Sequence, residues 1–338
     1  MRVVVTGAAG FIGGHLASAL AAAGHDVLAV DARSRGATPA GIARLARNGI
    51  TVTDCDLVTG DLGPLADADV VLHLAGRPGV RTSFGAGAAD THRDNVAATA
   101  RLLGACAAGK PRFVLASSSS VYGDADRPCS EDDPIAPGSP YARSKSDAEA
   151  LAQRAADGGL PVVVLRYFSV YGPRQRPDMA FHRFIEAALD GSTAPLYGDG
   201  GQSRSFTFVG DVVDATIRAA LTPLPPGTVL NVGHPVTVRL RDALDRIGTL
   251  LGAPPPTASA GAAPGDVTRT WAATARATEL LGWTATTSLD EGLTEQIAWH
   301  RNRRAETGQQ GSSEGGWAPR REHAGDGDER AGRRRADR

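Results

Sequence analysis

The chain opens on an apolar, β-branched run, Arg2-Val-Val-Val-Thr6, of the kind a parallel strand buried on both faces requires. The glycine-rich segment Thr6-Gly-Ala-Ala-Gly-Phe-Ile-Gly13 follows and overlaps a helix-compatible stretch, Phe11 to Ala23, that stops at Gly24. Strand patterns return at Asp26–Asp31, Gly49–Thr53, Ala68–Leu74, Arg112–Ser117 and Pro161–Arg166, alternating with helix signals. That alternation predicts an α/β fold, a Rossmann-type doubly wound parallel sheet. From about residue 172 Pro and Gly become denser, helical stretches shorten, and the strand signal Thr228–Val232 stands isolated. We therefore expect a nucleotide-binding Rossmann domain over residues 1–172, with later segments returning to it. Residues 173–303 would form mainly a smaller α/β C-terminal lobe that binds substrate. From residue 304 apolar residues almost vanish, so a disordered tail is expected over 304–338.

Composition narrows the class. At 338 residues and 42% hydrophobic content, a sizeable core is affordable. A formal net charge of −1 gives no sign of a nucleic-acid or membrane partner. No apolar run reaches the roughly 20 residues of a membrane span. The first strand begins at residue 2, which leaves no room for a leader, and a cytoplasmic protein is expected. Cys55, Cys106 and Cys129 are scattered and the histidines show no ligand spacing, so no metal is expected.

The candidate chemistry sits at the predicted carboxyl edge of the sheet. Gly7, Gly10 and Gly13 permit a sharp turn, close approach of backbone N–H groups to a pyrophosphate, and tight packing of helix on strand. Asp31 ends the second strand, where a carboxylate accepts bonds from adenosine ribose hydroxyls and repels a 2′-phosphate, favouring NAD over NADP. Arg33 and Arg35, close behind, keep NADP in view. Asp56, after the third strand signal, is placed to reach the adenine amine, though an acid in a loop is commonplace. Ser139-Pro140 reads as an N-cap and first helical position, and Tyr141 and Lys145 then share one helix face. A phenol with pKa about 10 is a poor base at neutral pH, and an adjacent ammonium with a positive nicotinamide brings it down. Ser117 to Ser120 end a strand at the same edge and offer hydroxyls to the reacting proton or the substrate oxygen. Each motif alone is common. Their conjunction is specific.

On these motifs the chain resembles the extended short-chain dehydrogenases/reductases of the NAD-dependent sugar-nucleotide epimerase/dehydratase family. The matching segments include His73-Leu-Ala-Gly76, Asn95, Ser117 to Gly123, Arg166 to Pro173, Tyr197-Gly-Asp-Gly200, Asp211 and Leu281-Gly-Trp283. They span residue 3 to about 300. The resemblance implies tightly held NAD that is reduced and reoxidised within one turnover, a UDP-sugar substrate and a homodimer built on a pair of helices per subunit. It implies that Tyr141 and Ser118 or Ser119 contact the reacting hydroxyl, and that Lys145 holds the nicotinamide ribose. It extends the cofactor lining to Phe11, Ile12, Asp56, Leu57, Leu74, Ala75, Asn95, Ser117 and Tyr167.

The same resemblance points to a reaction. Dehydratases of the family carry acids where this chain has Ser118-Ser-Ser120, so no carboxylate is at hand for elimination, and 4-epimerisation is expected. Ser169 and Arg176 are similar to the hydroxyl residue and arginine of uronate epimerases, a donor set suited to a carboxylate. UDP-glucuronate, converted to UDP-galacturonate through a 4-keto sugar, is therefore the expected substrate. Arg81 matches the same group, and Arg204 a diphosphate-binding position. Ala263 replaces a usual arginine before Pro264-Gly-Asp266, which leaves Arg269 as the candidate replacement; Ser205 and Ala273 replace common acids. The competing readings are a UDP-glucose or UDP-N-acetylglucosamine 4-epimerase, a UDP-glucuronate decarboxylase, and a non-catalytic NAD-binding regulator. The retained Tyr141, Lys145 and serine run argue against the last.

Overall fold

Seven strands run parallel in one sheet, and their spatial order fixes where a ligand can enter. The computed structural model describes residues 1–261 and 265–313, of which 307–313 by backbone alone. Across the sheet the order is Thr228–Val232, Val162–Tyr167, Arg112–Ser118, Val70–His73, Arg2–Thr6, Asp26–Asp31 and Val52–Asp54, every neighbouring pair parallel. The chain starts in the middle, winds to one edge, then crosses back to the other, leaving a crevice where the winding reverses.

Alternation along the strands explains the two layers of helix. Val3 and Val5 point into one core, joined by Leu16 and Leu20 of the helix Phe11–Ala22. Val4 points to the opposite face and packs with Leu102 of Ala98–Cys106 and Ala148 and Ala152 of Pro140–Asp157. A strand buried on both faces has no polar side to show, as its uninterrupted valines foretold. The predicted helix at Ser139-Pro140 begins as expected: the Ser139 hydroxyl accepts from Ala142 N–H at 3.0 Å.

Three expectations need correction. Thr228–Val232 is not an isolated strand of the second lobe but the edge strand of the main sheet, in register with Val163–Tyr167. Its crossover is the helix Val209–Leu221, and this long-range pairing leaves no local trace. The third strand is Val52–Asp54 rather than Gly49–Thr53, because Gly49 turns at φ 72° and Ile50 N–H closes on Leu45. Residues 304–313 belong to the helix Leu289–Ser313 instead of a disordered tail. Ser288 and Glu291 cap that helix reciprocally, Leu293 and Ile297 are buried, and elongation from a formed nucleus is cheap. Residues 314–338 lie outside the described residues, as does Ala263.

Among the described residues no helix is long and apolar enough to cross a membrane. Short strands complete the C-terminal part: Ala194–Tyr197 pairs with Thr257–Ala260, and Ser203–Arg204 lies between Val238–Arg239 and Arg269–Thr270.

Candidate active site

A cavity of about 730 Å³ opens over the carboxyl ends of the strands and is walled on its far side by Arg204 and Asp266. Its nucleotide end is built on backbone. Gly7 has φ +69°, and a Cβ there would stand 2.9 Å from Ala75 N; a Cβ on Gly13 would stand 2.2 Å from Gly7 O. Only glycine allows this approach of turn, helix and neighbouring strand. Gly10 caps the helix without a side chain, so the unpaired first-turn N–H groups of an α-helix are presented beside Phe11, Ile12 and Gly13 on the wall.

Asp31 also lines the cavity. It accepts from Ala9 N–H at 2.9 Å and from Ala32 N–H at 2.8 Å. Burial raises its carboxyl above the ordinary value, against those two donors. Arg35, which kept NADP in view, is held by Asp90 and Asp94 at 3.0 Å, and Arg33 N–H bonds Asp54. Asp31 thus borders the cavity, while the Arg35 guanidinium is paired with Asp90 and Asp94 and that of Arg33 lies 4.0 Å from Asp54. Asp56 is bonded by Arg93 at 2.6 Å and by Val58 N–H. Its carboxyl lies below the usual range, burial opposing the shift and Arg93 driving it. A cradle that no Cβ tolerates, a helix N-terminus and an acid on the adjoining wall fit a dinucleotide. Leu57, Leu74, Ala75, Ser117 and Tyr167 border the same space.

Asn95 does not. It is buried in a π-helical turn, Arg93–Ala97, where its amide accepts from Arg77 N–H at 2.7 Å and donates to Ser144 at 2.8 Å. It clamps the loop that borders the cavity instead of lining it, a role no spacing announces. His73 is likewise internal, bonded to Thr6 and Thr99 and pushed by burial to a pKa of about 3, hence neutral.

Another side of the cavity joins the helix Pro140–Asp157 to the strand Arg112–Ser118. Tyr141, Lys145, Ser118 and Ser119 all reach the cavity. Burial raises the Tyr141 phenol, against a hydrogen bond with Ser118 and the nearby charge of Arg176. Burial lowers Lys145 to about 8, against the Glu149 carboxylate; its Nζ donates to Ala116 O at 2.9 Å. Glu149 was missed from sequence, although it stands one further turn along the Tyr141/Lys145 face. It binds Arg166 at 2.7 Å and accepts from the Ser117 hydroxyl, fastening helix to strand directly behind Ser118.

Ser169, Arg176 and Arg204 form the opposite wall. Ser169 holds φ 33°, a costly conformation for a serine. Arg204 donates to the carbonyls of Ser203, Thr268 and Val267. Arg81 lies just outside, on an adjoining recess of about 180 Å³ that shares Ser169 and Arg204. It bonds Asp266 at 2.8 Å and covers the Tyr197 ring at 3.8 Å. Arg269 is not at the site: its guanidinium turns to Asp126 O at 3.4 Å and it borders neither recess, since its strand places the side chain on the outer side. Ser205 is spent on Ala272 N–H. Folding also groups His182, Glu186 and His300 within 4.8 Å, which the histidine spacing did not suggest. Glu186 and His300 bond each other and His182 bonds Gln175 O; none of the three borders the cavity.

Comparison with known proteins agrees with this geometry. Residues 3–233 match the model of the NAD dependent epimerase/dehydratase family. The chain belongs to that family. Among curated relatives, the uncharacterized UDP-glucose epimerase YtcB of Bacillus subtilis (strain 168) is 37% identical over 309 residues, covering 88% of this chain and 98% of the relative. The UDP-glucuronic acid 4-epimerase of Bacillus cereus, solved with UDP-glucuronic acid and NAD, superposes with TM-score 0.85 at 36% identity, covering 90% of this chain and all of that one. MoeE5 gives TM-score 0.83 at 42% identity with the same coverage, and was solved with UDP-glucuronic acid and NAD and also with UDP-glucose and NAD. This family member is thus an NAD-dependent nucleotide-sugar epimerase, an isomerase, with NAD as the cofactor that the glycine cradle fits.

Proposed function

We propose that the protein interconverts UDP-glucuronate and UDP-galacturonate. The observation that carries this reading is Arg176, a guanidinium on the cavity wall whose charge bears on the Tyr141 phenol. A sugar whose C4 hydroxyl meets Tyr141 has its C5 substituent close by, and a carboxylate there is what a guanidinium fork recognises.

Tyr141, as phenolate, takes the proton of the C4 hydroxyl, with Ser118 bonded to the same phenol and sharing that proton. Lys145 lies one helical turn away and its positive charge favours the phenolate. NAD, when bound, supplies a hydride acceptor at C4 that later returns the hydride. Between the two transfers the 4-keto sugar turns over in the cavity and presents the opposite face of C4 for the returning hydride, and Tyr141 gives its proton back to the C4 oxygen. Arg176 and Ser169 hold the carboxylate during this interval. A 4-keto uronate is a β-keto acid and loses carbon dioxide when its carboxylate stands perpendicular to the ring, so a carboxylate held near the ring plane is retained. The resemblance also supports a homodimer located in the cytoplasm, and size-exclusion chromatography with light scattering checks the assembly.

The test is turnover of UDP-glucuronate followed by NMR. UDP-galacturonate as product is expected. A pentose product would mean decarboxylation, activity on UDP-glucose or UDP-N-acetylglucosamine alone would remove the role given to Arg176, and inertness on every UDP-sugar would favour a regulator. Arg176→Ala is expected to reduce uronate turnover at least about tenfold more than any neutral-sugar turnover.

A further inference from the structure

Arg176 already holds a carboxylate, and it belongs to this chain. Its Nε donates to Asp178 Oδ1 at 3.0 Å and its Nη2 to Oδ2 at 2.7 Å, a two-pronged fork. The pair is only partly shielded, the side chains being 32% and 47% exposed. Local geometry enforces it. Met179 N–H closes on Arg176 O at 3.1 Å, a tight turn around Pro177 that brings residues 176 and 178 to one side. Asp178 is held below the ordinary carboxylate range, burial opposing and Arg176 driving the shift, with Arg183 adding a second positive charge. Asp178 itself is outside the cavity wall, whereas Arg176 and Met179 are on it.

From this arrangement we infer that Asp178 is the residue that sets uronate against neutral-sugar selectivity, as an internal carboxylate competing with the substrate's own for Arg176. The inference rests on the uronate reading above and deepens it. Facing a neutral sugar, Arg176 stays paired and the site presents no bare cation. Facing a uronate, the fork must be shared or surrendered, and two carboxylates are brought together near one guanidinium. Asp178 is not orphaned by the exchange, because Arg183 remains beside it. Asp178 therefore weakens uronate binding while leaving neutral-sugar binding alone, and it leaves room for both kinds of substrate.

The experiment measures kcat and KM for UDP-glucuronate and UDP-glucose with wild type, Asp178→Asn and Asp178→Glu. Asp178→Asn is expected to lower KM for UDP-glucuronate by about threefold to fivefold, the range of one partly exposed ion pair, with KM for UDP-glucose unchanged. Asp178→Glu, which keeps the charge, is expected to keep the wild-type ratio. Asp178→Ser also lacks the charge and must repeat the asparagine result; it serves alone if the amide variant does not fold. An unchanged ratio, an equal change on both sugars, or a glutamate variant that behaves like the asparagine one overturns the inference. Should wild type leave UDP-glucuronate unconverted, the proposed function falls separately. The inhibition constant of UDP-glucuronate against UDP-glucose turnover then reads the same competition, and must still tighten in Asp178→Asn.

Discussion

A phenol buried at the edge of a cavity is a weak base until positive charge is brought to it. Burial raises Tyr141 and lowers Lys145 to about 8, so each residue alone is less charged than in water. Together with a positive nicotinamide they favour the phenolate–ammonium pair. Tyr141→Phe is expected to cut turnover by about 10²- to 10⁴-fold, the usual contribution of a general base, while purified protein still releases NAD on denaturation. Loss of NAD as well would mean that the phenol holds the cofactor. Lys145 also marks the pH profile. As pH rises through about 8 the ammonium loses its proton and the phenol loses that neighbouring charge, so a break in the kcat profile is expected near that pH.

At the scale of the element, one helix brings Tyr141 and Lys145 to the cavity. Residues 141, 145 and 149 follow one face of Pro140–Asp157, and Glu149 is tied to Arg166 and Ser117. Glu149 raises the Lys145 pKa, so Glu149→Gln is expected to move the Lys145 break to lower pH, read from a pH–rate profile. An unshifted profile with lower stability would leave Glu149 a purely structural tie. The glycine turn is equally strict. Gly13→Ala places a Cβ 2.2 Å from Gly7 O, and an overpacking cost of about 1–3 kcal/mol with loss of bound NAD is expected by urea unfolding and cofactor assay.

At the scale of the molecule, the cavity is closed by contacts between distant segments. Arg81 reaches Asp266 and stacks on Tyr197, joining the loop after the fourth strand to the wall that carries Arg204. Both partners of this pair are partly exposed, so it contributes little to stability. Arg81→Ala is expected to raise KM for the UDP-sugar by about threefold to tenfold with nearly unchanged melting temperature. A large melting shift with unchanged KM would make the contact structural alone.

Much of this was legible in the chain itself. The valine runs, the glycine spacing, Asp31, the Ser139-Pro140 start and the Tyr141/Lys145 pair depend on chemistry within a few residues, where periodicity and backbone sterics act directly. Six of the seven sheet strands followed, and with the family resemblance so did the glycine turn, the serine run and the Tyr141/Lys145 face on the cavity wall. What needed the tertiary structure was long-range. Thr228–Val232 joined the sheet through register with a strand some way upstream, and Asn95, within a π-helical turn, is buried against Arg77 and Ser144. Arg269 faced away because its short strand chose the other side. The Arg176–Asp178 pair lies between these cases. Its two residues are near neighbours in sequence, but only the folded turn shows that the Arg176 guanidinium is already paired with a carboxylate.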